Sequence, residues 1–392
     1  LVTRTYGKAG YGESNIMQSF PAIFFIIADF GMNAITTREL SLDWGKAKKY
    51  ISNVLTLRIL ISLALVLLGS VILLFLPYSK ALVVGTQFGM LIVLTQSLFA
   101  TTNIAFQVKL RYDLVTIGLI AGYVVLITSA LLAVYLKLPV AWINFSYVVG
   151  GLFTFLVSLR LLKKLGLTLS LDFDPAVIKF LLAESLPLGI MFIFSQVNFR
   201  ADTILMSVLE LPKNYPLSNT ESVGVYGLAY KIFEVSLVIP TFFMNSIYPS
   251  YVRKMSEGAE SLKQIFLSSL KGLLGLGVFI GLMGYLFAPL LIKILGGDEF
   301  SFSVLPLQIL MVGVFVFYLT QPISWLIVTL GKQKYLPLVY LLSATFNVTA
   351  NFVFIPKHSF IASSFITILS EALILLLLCY FAAKSWKQKY VS

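Results

Sequence analysis

The chain is a succession of long apolar runs separated by short polar ones. A membrane-crossing helix needs about 20 mostly apolar residues. Runs of that kind lie at 14–37, 51–76, 81–106, 114–136, 138–162, 180–209, 223–252, 272–292, 300–330, 335–355 and 359–383. Several are longer than a bilayer requires, which predicts tilt or kinking. Pro21, Pro187, Pro240 and Pro322 fall inside spans, where neighbouring helices can satisfy the backbone groups that proline frees. Ten-residue segments of alternating polarity, the mark of an outer-membrane barrel, do not occur. The pattern predicts an all-α membrane protein.

Composition narrows the classes further. Of 392 residues, 58% are hydrophobic and 12% charged, with a mean hydropathy of +0.93. Soluble domains carry about 25% charged residues, so a soluble enzyme, a disordered chain and a nucleic-acid binder are excluded. The net charge of +12 then reads as a topology signal. Calling the side of residues 38–50 "in", every in-side connection holds at least two basic residues, such as Lys46, Lys48 and Lys49 or Arg160, Lys163 and Lys164. The internal out-side connections hold Lys80, Lys137, Lys213, Lys293 and Lys357, one apiece. Basic residues mark cytoplasmic loops, so the expected location is the cell membrane, multi-pass, with the N-terminus of this chain outside and the C-terminus cytoplasmic. One cysteine, Cys379, and one histidine, His358, leave no disulfide framework, metal centre or His-based triad. The chain opens at Leu1, and residues 1–12 read as the tail of an earlier span, which predicts a truncated N-terminus.

A weak internal repeat follows from an offset of 215: Tyr11–Gly12 falls on Tyr226–Gly227, and Arg38 on Arg253. In both copies a Tyr-Gly opens an outside-to-inside span and an arginine closes it. Like-oriented halves predict parallel repeats related by an axis along the membrane normal, with a substrate site between them. The expected architecture is two six-helix bundles related by a pseudo-twofold along the membrane normal, the first helix missing from this chain. The N-terminal helical lobe then covers 1–165 and the C-terminal lobe 166–392. Chance similarity of two apolar helices is the competing reading.

Polar groups at membrane depth are costly and face a cavity or a partner by default. In 14–37, Asn15, Gln18, Asp29, Asn33 and Thr36 fall within about a 60° sector, either lining a cavity or bonding a neighbouring helix, and Asp29 is the candidate titrating group. In 223–252, Lys231, Glu234, Thr241 and Asn245 share a face. Lys231 and Glu234 at i,i+3 either neutralise each other or present a cation to an anionic substrate. In 180–209, Glu184, Ser195, Asn198 and Asp202 share a face, with Arg200 roughly opposite, lining the lumen or snorkelling outward. Arg58, in the cytoplasmic half of its span, reads as snorkelling before ligand binding, and Glu371 stands alone near mid-membrane. No P-loop, HEXXH or GxSxG is present, and no loop between spans exceeds about 20 residues, so an enzyme is not expected.

Several segments, in order, are similar to one family. They are TRTYGKAGYGESN at 3–15, ADFGMNAITTREL at 28–40, FRADTILMSVL at 199–209, VGVYGLAYKIFEVSLVIPTFFMNSIYPSYVRKMSEG at 223–258, LGGDEFSFSVLPLQIL at 295–310 and the stretch 330–377. Together they resemble the polysaccharide (O-antigen type, Wzx-like) flippases of the multidrug/oligosaccharidyl-lipid/polysaccharide (MOP) exporter superfamily. Where that family commonly has glycine in a turn, this chain has His358 and Ser359; His358 reads as an exposed turn residue. The resemblance implies a MATE-like bundle that works by alternating access. It moves a polyprenyl-diphosphate-linked oligosaccharide from the cytoplasmic to the outer leaflet, driven by an ion gradient. Head-group candidates are Lys231, Arg200 and Arg58. Coupling candidates for H+ or Na+ are Asp29, Glu234 and Glu371, with Asn15, Gln18, Asn33, Asn245, Asn198 and Asp202 lining the cavity. No cofactor, metal or nucleic acid is implied; membrane lipid and polysaccharide polymerase machinery complete the implied partners. The alternatives are a MATE-type drug/cation antiporter, which would favour acidic lumen residues, a lipid II-type flippase, and an O-antigen polymerase or ligase, which would need a long arginine-bearing outer loop.

Overall fold

The computed structural model describes residues 2–211 and 215–390, without the side chains of residues 187, 188 and 249; Lys213 and the Pro187 side chain lie outside what is described. Twelve α-helices order the described residues: α1 (Val2–Asp29), α2 (Met32–Leu42), α3 (Ala47–Leu73), α4 (Lys80–Val108), α5 (Tyr112–Tyr135), α6 (Val140–Leu162), α7 (Pro175–Val208), α8 (Asn219–Ser236), α9 (Val238–Glu257), α10 (Ala259–Leu295), α11 (Val304–Thr329) and α12 (Leu336–Tyr390). No strand occurs among them. Among the described residues, nine helical segments are long and apolar enough to cross a membrane, and a tenth if α7, bent by 53° between Leu186 and Gly189, counts as one span. The chain is a multi-pass membrane protein.

The remaining expected span hides inside α12. Its 55 residues would run about 80 Å if straight, far beyond a hydrocarbon core of about 30 Å. Ser359 breaks it, with φ 47° and ψ −131°. The arms fold back on each other. Ser343 Oγ donates to the Ser370 carbonyl (3.1 Å), Asn347 Nδ2 to Ser370 Oγ (3.0 Å), and Ser363 Oγ to Asn351 Oδ1 (2.9 Å). Runs 335–355 and 359–383 are therefore a helical hairpin. His358 is exposed at its tip and Ser359 is buried. A non-glycine residue at this φ is strained, so Ser359→Gly is expected to stabilise the protein by about 1 kcal/mol, read as a higher thermal midpoint in detergent.

The helices form two compact units, Glu13–Gln196 and Leu1–Gly12 with Val197–Ser392. The division falls inside α7, not at the 165/166 boundary expected from the sequence. The reason is a strap. After Leu162, residues 167–174 run back along α3: the Ser170 amide donates to Ser52 Oγ (3.2 Å) and the Asp174 amide to Asn53 Oδ1 (2.6 Å). Lys49 Nζ sits 2.6 Å from Asp174 Oδ2 and holds that carboxyl below the usual carboxylate range. Asp174 also caps α7 by accepting from the Ala176 amide at 2.9 Å. Beyond the cap, Val177 and Leu181 join the core built by Ile51, Val54, Ile104 and Leu162. Helix α7 thus begins as part of the first unit's core.

In the other unit, the centre is aromatic. Tyr226, Phe233, Phe300 and Tyr318 are fully buried, and Phe233 meets Phe317 edge to face at 4.9 Å between centroids. The first turns of α1 belong here. Gly7, at φ 63°, ends a short piece whose Thr3 Oγ1 donates to the Leu295 carbonyl (2.7 Å) and whose Arg4 Nη2 donates to those of Lys293 (3.0 Å) and Ile294 (2.9 Å). A cation on the orphan carbonyls of a helix C-terminus suits both their hydrogen bonding and the helix dipole.

Candidate functional site

The first unit buries an ion pair in its interior. Arg58 of α3 is fully buried and bonds Asp29, the last residue of α1. The same Nη2 donates to Asn33 Oδ1 of α2 (3.2 Å), and Nη1 donates to Thr101 Oγ1 of α4 (3.1 Å). This overturns the snorkelling expected of Arg58. Two donors aimed inward at a carboxylate, an amide and a hydroxyl compensate desolvation better than a reach to the interface from a site packed on all sides. A second polar group lies along α1, where Gln18 Nε2 donates to Ser14 Oγ and Asn144 Oδ1, both at 3.2 Å. Asn15 is half-buried. Asn144, buried in α6, was missed at the sequence level; an asparagine inside an apolar run was its only signal.

The second unit carries the open charges. Glu234 of α8 accepts from two cations, Lys231 Nζ on Oε2 (3.0 Å) and Arg200 Nη2 of α7 on Oε1 (3.1 Å). Lys231 is 64% exposed, while Arg200 and Glu234 are each 26% exposed. Two cations share the Glu234 carboxylate, and the more exposed of them is Lys231. Arg200 pairs with Glu234 on α8 of its own unit. Lys231 lies twelve residues into α8, about 18 Å along its axis, inside the span-length segment Asn219–Tyr248.

Other expected residues separate from this cluster. Asp202 is fully buried, accepting from Tyr226 Oη and, at 2.7 Å, from the Thr203 amide. Tyr226 Oη also meets Thr367 Oγ1 at 3.1 Å. Asp202 is thus enclosed between α7, α8 and α12, where a wall position had been expected. Asn198 accepts from Ser343 Oγ at 3.2 Å in the same interior. Glu371 accepts from Thr320 Oγ1 of α11 at 2.6 Å, so it does not stand alone. Asn245 is exposed on α9. Glu184 pairs with Arg38 at 3.1 Å within the first unit. Tyr230, buried beside this group, interacts electrostatically with Asp202, Arg200, Glu234 and Glu371; its spacing i,i+4 from Tyr226 was the available signal. Among the described residues, no group of three or more His, Cys, Asp or Glu side chains is placed to hold a metal ion.

Comparison with known proteins places this arrangement. A family model described as "Polysaccharide biosynthesis protein" matches residues 1–255. No curated protein matches the chain. Among solved structures, the chain is similar to the lipid II flippase MurJ in an inward closed conformation, with a TM-score of 0.66 at 15% identity over 97% of this chain and 88% of that one. It is similar to an inward-facing multidrug resistance MATE family transporter of the MOP superfamily, with a TM-score of 0.73 at 14% identity over 99% and 96%. A MOP superfamily transporter from Pyrococcus furiosus gives 0.62 at 13% identity over 97% and 87%. At these identities the likeness is one of fold, and the fold is that of MOP superfamily transporters.

Proposed function

This chain belongs to the polysaccharide biosynthesis protein family, and from that premise we propose that it is a flippase for a polyprenyl-diphosphate-linked oligosaccharide. The oligosaccharide moves from the cytoplasmic to the outer leaflet by alternating access, and the 38–50 side faces the cytoplasm. The observation that carries this reading is Glu234 shared between Lys231 and Arg200. A lysine that is 64% exposed within a span-length segment is too costly to face lipid. It suits a wet path taken by an anion, and a diphosphate binds lysine and arginine through charge-assisted hydrogen bonds. Lys231 contacts the head group, Arg200 supports it, and the lipid tail stays in the bilayer.

Movement against a gradient needs a carboxylate whose charge follows the state of the cavity. Glu234 and Glu371 take that part, with H+ or Na+ as the coupling ion, while Asp29 stays charged as the partner of buried Arg58. The likeness in fold to MurJ, itself a lipid II flippase, supports a lipid-linked substrate. Exposed Lys231 beside Glu234 disfavours a drug-cation antiporter.

Lys231→Ala is expected to abolish glycan translocation while the protein remains in the membrane. The assay is appearance of lipid-linked oligosaccharide in the outer leaflet of cells or proteoliposomes, and translocation at the native rate removes Lys231 from the site. Dissipating the proton and sodium gradients separately in the same vesicles identifies the coupling ion. Indifference to both excludes secondary transport.

A further inference from the structure

We infer that Arg58 is a positioning residue that pins a break in the first span, holding its two helical pieces in register, and is not a ligand of the transported head group. The transport part of this inference rests on the flippase reading above; the backbone part does not.

Between α1 and α2 the chain leaves helical geometry for two residues, Phe30 at φ 45° and Gly31 at φ 75°. Glycine tolerates that region, but a bulky residue there is strained and persists only where its surroundings over-determine it. A break inside an apolar span also interrupts the backbone ladder where no water compensates.

Arg58 supplies the constraint. Its Nη2 bonds Asp29, the residue before the break, and Asn33, which follows it, so one guanidinium nitrogen spans the interruption. Its Nη1 anchors on Thr101 of α4, whose hydroxyl is itself fixed on the Ser97 carbonyl at 2.9 Å. The Phe30 ring completes the seat by lying against Gly189 of α7, where a Cβ would meet ring atoms at 2.7 Å. Both Nη groups of Arg58 are engaged and its unpartnered Nε is buried, so with no exposed surface it offers a substrate no accessible donor. Any change in the angle between α1 and α2 requires it to release Asp29 or Asn33.

The test is hydrogen–deuterium exchange of the full chain in nanodiscs, read over residues 26–37, beside transport kinetics. Asn33→Ala removes one arm of the pin. It is expected to speed exchange across the break about tenfold, the scale of one hydrogen bond to a charged group, with residues 80–108 unchanged. The transport rate should fall while the half-saturating substrate concentration stays at the native value. Asn33→Asp, which keeps an acceptor there, should restore native exchange. Arg58→Lys should behave like Asn33→Ala, and if it fails to fold Asn33→Ala decides alone. Native exchange in Asn33→Ala, or a raised half-saturating concentration at a native rate, overturns the inference. Lys231→Ala serves as the control: it should leave exchange over 26–37 untouched, and if it leaves transport intact Lys231 leaves the site while the pin stands; if the native protein itself moves no glycan the flippase reading fails, and the exchange data still decide the pin.

Discussion

Asp29→Ala is expected to cost about 3–5 kcal/mol of stability, because it strands a buried guanidinium without its counter-charge. Arg58 is fully enclosed, and Asn33 and Thr101 can accept hydrogen bonds but cannot neutralise it. The double variant Asp29→Ala with Arg58→Met should recover most of the loss, since exchanging both partners for apolar groups of similar shape is nearly neutral. Thermal and denaturant unfolding of purified protein in detergent measures both. A single variant as stable as the native protein would mean that the guanidinium finds water, contrary to its burial. The double variant should remain defective in transport even when stable, because the α1–α2 break would then lack its pin.

A second large effect is expected at Gly12. A Cβ there would run into the carbonyl oxygen of Thr220 and the amide nitrogen of Gly224, and a Cβ on Gly224 would run into the carbonyl of Lys8. These are backbone atoms, which cannot swing aside as the end of a flexible side chain does. Helices α1 and α8 touch main chain to main chain at this point, and the contact is flanked by the Lys8–Glu221 ion pair at 3.3 Å and the Tyr11–Phe300 edge contact at 5.8 Å. Gly12→Leu is therefore expected to cost about 3 kcal/mol or more, at the upper end of overpacking, and to lower the yield of folded protein. Gly275→Leu, at a position with nothing within 4 Å, should change stability by less than about 0.5 kcal/mol. Fluorescence-detected size exclusion across a temperature series separates the two.

The Tyr-Gly pair at 11–12 illustrates what could be read in advance. Its recurrence near 226 marked the segment as special and joined α1 to α8 in the argument. The reason for the glycine, a backbone crossing with Thr220 and Gly224, lies in residues about two hundred positions away. Ser359 is similar: the turn was legible, the positive φ was not. Arg58 went wrong in an instructive way. Depth alone favours snorkelling, and only Asp29, Asn33 and Thr101 converging from three other helices make burial affordable. The compact units divide inside α7 and not at 165/166, because the strap at 167–174 ties the start of α7 to α3. Ser52, Asn53 and Lys49 are what fasten it.

By itself, the sequence determined that this is an all-helical membrane protein, roughly where its spans begin and end, and which charges lie at membrane depth. Those properties depend on run length and composition against a solvent of known thickness, so they are local and additive. The tertiary structure alone decided which of those charges are spent and which are open. Arg58 and Asp202 are consumed inside their units, while Lys231 keeps its exposure over a carboxylate it shares with Arg200. That distinction rests on the direction each helix turns toward its neighbours, and helix neighbours come from distant parts of the chain.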